Sequence, residues 1–255
     1  MNADLKNALA QVYQVFSGYQ PLYLDEAFTT EAYLMAWKAE LFSAPLPQLS
    51  AQSLSRFAGK TMTTWGRVED FKHFLPRLTE LFADYDYPYD IQTYFYKFDH
   101  GEWLTWPLEE QEAIRRVWRL VFNCWLTGAD APYSYEHGDY FHGLYLALGH
   151  STANLDAWAP FSSAARTRRL AEYLVSEAGE LFQRNKVGRY AEKADHLVEI
   201  RKWLLQPVIH QGLEKAFFRL QEEGNSFDEL PDLISEAEQI LRTEIEFNRI
   251  NNIPL

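Results

Sequence analysis

The chain offers few sets of side chains with the types and spacing that chemistry needs. The nearest approach to a nucleophile motif is GHSTA at 149–153. A serine elbow reads G-x-S-x-G and sits on a strand-to-helix turn that exposes the hydroxyl. Here Ala153 takes the place of the last glycine and no strand pattern precedes it, so the stretch is expected to end one helix at Gly149 and cap the next with Ser151. The densest acid-base cluster is EHGDYFH at 136–142. On a helix Asp139 and His142 share a face, whereas His137 and His142 point about 140° apart. The seven histidines form no HExxH and no pair of ExxH segments. Asp139, His142 and His150 are the set that an enzyme cleft would use, with or without a divalent metal, while the residues imply no metal site and no cofactor outright. Glu177 and Glu180 lack a second carboxylate pair and read as solvated. Cys124, in WRLVFNCWL, reads as a buried, inert thiol.

Two further stretches suggest binding in place of catalysis. In TTWGRVEDFKHFLPRLTEL, residues 63–81, Val68, Phe71, Leu75, Leu78 and Phe82 keep helical phase across Pro76. One helix through the proline is expected, with Asp70, His73 and Arg77 off the apolar stripe as a polar face. Asp70 and Arg77 are expected to form a network there, with Arg77 reaching the Lys72 carbonyl that Pro76 leaves unbonded. The second stretch, DYDYPYDIQTYFYKFDHGEWLTW at 84–106, interleaves aromatics with acids. Most of its rings belong to a core. Tyr87, Tyr89, Trp103 and Trp106 beside carboxylates are the residues from which a patch for a cationic partner would be built.

The order T-W-G-x-V-x-D-F-K-H-F-L-P-R-L-x-E-L resembles a segment of a family of uncharacterised bacterial proteins. TWPLEEQEAI at 105–114, GLEKAF at 212–217 and LISEAEQIL at 233–241 are similar to it too. The resemblance implies a bacterial origin and a shared helical fold, and brings no activity. Family members carry paired cysteines shortly before this region, whereas YQPLYLDEAF holds none, so a metal role resting on such cysteines does not transfer.

The elements that must position these residues are helices. The strongest pattern is WPLEEQEAIRRVWRLVFNCWLTG, where Ile114, Val117, Trp118, Val121, Phe122 and Trp125 recur on one face. Thr105 is a candidate cap for it, Gly128 a candidate stop, and Arg115, Arg116 and Arg119 face solvent. Further stripes run through Leu170 to Phe182, Leu197 to Leu204, Leu213 to Leu220 and Leu230 to Leu241, and earlier helices are expected near 3–16, 30–42 and 51–65. No stretch alternates as a strand. The fold class is all-α: about ten helices in antiparallel pairs, an irregular bundle or α-solenoid-like, in a single domain over 1–255 whose two lobes would meet near 128–138.

Composition narrows function. The 255 residues are 47% hydrophobic and 16% aromatic, with a formal charge of −12. Residues 80–112 hold nine acids against Lys97 alone, and residues 222–246 hold nine against Arg242 alone. Such a field repels phosphate backbones, so nucleic acid is a poor partner unless the arginines at 166–169 act locally. One cysteine, no signal-like amino terminus and no long apolar run lead to the expectation of a cytoplasmic protein that neither enters nor spans a membrane. The function expected is non-enzymatic capture of a basic protein, as a toxin-neutralising (immunity) or adaptor protein.

Overall fold

The computed structural model describes residues 2–128, 137–149, 151–159, 161, 163–187, 195–223 and 229–253. Among these are twelve α-helices and no strand longer than an isolated bridge. The chain divides into two compact units, residues 1–121 and 122–255. The sequence placed a lobe boundary near 128–138, most of which lies outside the described residues.

The first unit contains α1 (Ala3–Val15), α2 (Glu31–Leu41), α3 (Ala51–Lys60), α4 (Val68–Ala83), α5 (Ile91–His100) and the start of α6 (Leu108–Thr127). Local chemistry sets the helix starts. The Ser50 hydroxyl accepts the Ser53 N–H at 3.1 Å to open α3, and the Asp90 carboxylate accepts the Thr93 N–H at 2.7 Å to open α5. The helix expected over 51–65 stops at Lys60. Met62 takes the left-handed φ of 62°, and the N–H groups of Thr63, Thr64 and Trp65 all turn back onto the Lys60 carbonyl. Pro76 does lie inside one continuous helix, α4.

α1, α3, α5 and α6 close around α4. Phe71, Phe74, Leu75, Leu78 and Phe82 of α4 are buried, and Phe82 stacks on Tyr94 with centroids 4.3 Å apart. Trp118 is fully buried among Phe95, Phe98 and Trp103, and its indole N–H reaches the Tyr94 hydroxyl at 3.2 Å. Thr105 belongs to a 3-10 turn over Trp103–Thr105 and so does not cap α6.

The second unit holds α7 (His137–Ala147), α8 (Thr152–Asp156), α9 (Ala164–Arg184), α10 (Asp195–Leu204), α11 (Pro207–Glu223) and α12 (Leu230–Ile250). α12 packs on both α9 and α11, and α7 packs on α9, so partners are not only neighbours along the chain. Its core is a second aromatic cluster: Trp158 lies 4.3 Å from Phe141, 5.3 Å from Tyr173 and 5.5 Å from Trp125. Arg169 is buried, pairs with Glu172 at 2.6 Å and donates to the carbonyls of Trp125 and Gly128 at the end of α6. Arg166 donates to the Ala157 carbonyl, so two of the arginines that sequence set aside for phosphate are engaged within the protein. Cys124 is only partly buried. No helix among the described residues is long and apolar enough to cross a membrane.

Candidate functional site

Asp70, His73 and Arg77 turn out to be fasteners. Asp70 is fully buried at the third position of α4, where one carboxylate oxygen accepts the Arg67 N–H at 2.8 Å and the other accepts the Tyr23 N–H at 2.9 Å. The first bond serves an N–H at the helix start that has no partner within the helix. Burial pushes the carboxyl up from its ordinary value, and these two N–H donors oppose that shift. Gly66 makes the arrangement possible: its φ is 66°, and a Cβ there would lie 2.8 Å from the Asp70 carboxylate. The His73 ring bonds the Tyr19 carbonyl through Nδ1 at 2.8 Å, and since a carbonyl only accepts, Nδ1 carries the proton. Arg77 donates to the Leu49 carbonyl at 2.7 Å and to Glu80 at 2.7 Å. The expected bond between Asp70 and Arg77 is absent, and Arg77 reaches Leu49 in place of the Lys72 carbonyl. Asp70 and His73 fasten the connection between α1 and α2 to α4, and Arg77 fastens the one between α2 and α3.

Sequence reasoning missed the polar centre beside them. Lys72 and Glu110 are both buried and pair at 2.6 Å, with the Tyr19 hydroxyl 2.5 Å from Glu110 and 3.0 Å from the ammonium. The Lys72 ammonium also lies 4.3 Å from the centroid of the Trp106 ring. Burial and the bond to Glu110 push the Tyr19 phenol well up. The only signal in the sequence was a Lys at one position of α4 where its neighbours are apolar.

The stretch 84–112 sorts its residues by side. Tyr94, Phe95, Phe98, Trp103 and Trp106 turn inward. The buried Tyr87 hydroxyl has no hydrogen-bond partner among the described residues and the ring packs on Tyr94, while Tyr89 stays exposed. Of the four aromatics expected at a partner patch, only Tyr89 therefore presents much of its surface. Lys97, the one cation of the stretch, is also buried and donates to the Thr61 carbonyl at 2.6 Å. Asp86, Asp99, Glu102 and Glu109 stay outside, and none forms an ion pair among the described residues. Tyr96, Leu104 and Leu108 are exposed as well, the two leucines at 66% and 75%.

A rigid corner presents these leucines. Glu102 takes a left-handed φ of 50°, Trp106 Nε1 donates to the Gly101 carbonyl at 2.8 Å, and the Gln111 amide donates to the carbonyls of Leu104 and Trp106 at 3.0 and 2.7 Å. Arg115 in turn holds Gln111 at 2.9 Å and covers the Trp103 ring at 4.8 Å. The surface continues across the loop after α3. His100 bonds the Met62 carbonyl at 2.9 Å, and two residues on, the Thr64 carbonyl receives the N–H of Phe28, whose side chain is 89% exposed.

In the second unit, His142 is fully buried, with Nε2 3.0 Å from the Tyr173 hydroxyl and its ring 5.7 Å from that of His196. Burial, with His196 beside it, holds its pKa well below the ordinary 6.5, so the imidazole is neutral at pH 7. Asp139 is half-buried, and its charge, after burial itself, helps push Glu177 upward. Glu177 is thus less solvated than its spacing suggested, and its carboxylate abuts Gly138. His150 lies outside the described residues. Ser151 stands at the start of α8, after Gly149 with φ 85°. Among the described residues no three His, Cys, Asp or Glu side chains are arranged to hold a metal ion.

No family model matches the chain, and neither a curated protein nor a solved structure matches it significantly.

Proposed function

We propose that this is a non-enzymatic interaction protein that captures a basic protein, with toxin neutralisation or an adaptor role as the sharpest form of that reading. The observation that carries it is the sorting of residues 84–112. Most rings and the single lysine face inward, while Asp86, Asp99, Glu102 and Glu109 stay exposed, the last two flanking the exposed Leu104 and Leu108 in sequence on a braced corner. Exposed apolar side chains ringed by polar groups make up the usual anatomy of a protein-binding patch. Uncompensated acids select a cationic partner and speed its approach. An enzyme cleft around Asp139, His142 and His150 has less support, because His142 has no exposed surface.

The test is co-expression of the chain with the product of the adjacent gene, followed by surface plasmon resonance on the purified pair. A complex with a basic product is expected, with association slowing as salt is added. Glu102→Lys/Glu109→Lys should weaken it by at least about tenfold, since reversed charges now face the partner. A complex indifferent to both salt and this variant would refute the assignment of the face.

A further inference from the structure

Residues 1–121 also carry a pocket of the opposite sign. One face of α3 presents Arg56 and Lys60, spaced i and i+4, to a pocket of about 390 Å³. Both cations are gathered over the same indole: the Arg56 guanidinium carbon is 5.2 Å and the Lys60 ammonium 5.3 Å from the centroid of the Trp37 ring. Glu40, also in the lining, approaches Arg56 at only 3.5 Å, and both side chains are over 40% exposed. Lys60 has no ion pair among the described residues, so the wall keeps a net positive charge in a chain of −12.

The rest of the lining is polar and unspent. Gln52, Ser55, Thr64 and Tyr89 bring an amide and three hydroxyls, and none of these groups hydrogen-bonds within the protein among the described residues. The frame is held in place. The Lys60 carbonyl receives the N–H groups of Thr63, Thr64 and Trp65 at 3.0 to 3.2 Å, which fixes the turn that brings Thr64 to the pocket. Gly59 allows the Tyr89 ring to lie close against α3, because a Cβ at 59 would sit 3.0 Å from it.

We propose that this pocket binds a small polar molecule through an anionic group, phosphate or carboxylate, held between Lys60 and Arg56. A guanidinium and an ammonium side by side supply charge-assisted donors to several oxygens of one anion. The free hydroxyls and amide suit the hydroxyl groups of the remainder, and Tyr89 supplies a wall for its carbon skeleton. This inference is independent of the acidic face and of any protein partner.

Glucose 6-phosphate, glucuronate and glucose are the probes, each titrated into the full chain by calorimetry and followed in the indole NMR spectrum, with the Trp37 peak assigned through Trp37→Phe. One of the two charged sugars should bind saturably in the millimolar range or tighter, shift the Trp37 peak and weaken with salt, while glucose does not bind. The tighter of the two identifies the anion. Lys60→Met should lose at least about tenfold in affinity, as removal of a charge-assisted contact does. Arg56→Met should behave alike, and both should keep the wild-type melting curve. Absence of saturable binding for both charged sugars at about 20 mM, roughly twentyfold above a millimolar Kd, would overturn the proposal, as would affinity unchanged in both variants.

Discussion

The stretches 80–112 and 222–246 each carry nine acids and a single base, yet the structure uses the base in opposite ways. Lys97 turns into the core and screens nothing outside. Arg242 stays at the surface and binds Glu238 at 2.6 Å within its own helix, while His210 takes the same carboxylate at 2.7 Å. Along the second stretch Glu244 also meets Arg201, and Glu246 meets Arg249. In the first, the acids in ion pairs among the described residues are Glu80, Glu110 and Glu112, near its ends. Three acids of each stretch are thus paired among the described residues, and in the second all three lie along α12. The stretches differ in the direction of the cation each contains, which for Lys97 depends on helix phase and on an acceptor at Thr61 distant in sequence.

The largest effect is expected at the buried acid of the first stretch. Glu110→Ala should cost about 3 to 5 kcal/mol in a denaturant titration, because Lys72 then stays buried without its carboxylate. Replacing both partners with apolar residues, Lys72→Met/Glu110→Leu, should recover most of that loss. A Glu110→Ala protein of wild-type stability would show that Lys72 swings out to water and that the pair is not structural.

Lys97 sharpens the contrast through pH. Burial lowers its pKa from 10.5 to about 8, so between those values the unfolded chain holds a proton that the folded chain has released. Stability therefore rises as pH rises across that window, and below about pH 8 the buried charge carries a constant cost. That cost is about 3 kcal/mol at 1.36 kcal/mol per pKa unit. Lys97→Met should gain about 2 kcal/mol at pH 7 after losing one hydrogen bond, and should flatten the alkaline rise. Since Lys97 is absent from the surface, the variant should leave the acidic face unchanged. An unaltered pH profile would mean that Lys97 is solvated.

The second unit should show its own window on the acid side. His142 is held neutral in the fold, so below about pH 6.5 the unfolded chain takes up a proton that the folded chain refuses. Stability should drop as pH falls there, at up to about 1.4 kcal/mol per pH unit. His142→Phe should reduce that slope in urea melts between pH 5 and 7 (about one to two units of the window). A slope identical to wild type would place the acid sensitivity elsewhere.

Legibility in the sequence followed the range of the interaction. Helical phase is local, so the stripe through Pro76 and the burial of Trp118 could be read from spacing, whereas Ser151 stands at the start of α8 without the side-chain cap bond expected of it. Side-chain partners were not legible. Asp70 bonds Tyr23, Arg77 bonds Leu49 and Lys72 bonds Glu110, separations of 47, 28 and 38 residues that no periodicity encodes. The early stop of α3 at Lys60 was missed for a related reason: Met62 adopts a left-handed φ without being glycine. The acidic face was visible as composition, but Trp103 and Trp106 were assigned to it because ring-rich sequence does not say which rings point inward.

The smallest effect tests the comparison by sign. Glu102 and Glu109 lie exposed among like charges without a cation, so neutralising both, Glu102→Gln/Glu109→Gln, should relieve self-repulsion and raise stability slightly. Surface changes of this kind stay within about 0.5 kcal/mol. The gain should fade in about 1 M salt, where the screening length shrinks to about 3 Å. Glu244 sits in the other stretch, partly buried and 2.8 Å from Arg201 on α10, so Glu244→Gln breaks a partnership between helices. It should lower stability by up to about 1 kcal/mol and respond less to salt, since a partly buried pair is screened less. Parallel urea melts of the two variants at low and high salt decide the matter. If both variants move the midpoint in the same direction, the two acidic stretches are electrostatically alike, and the open character of the first is lost as a reason to place a partner there.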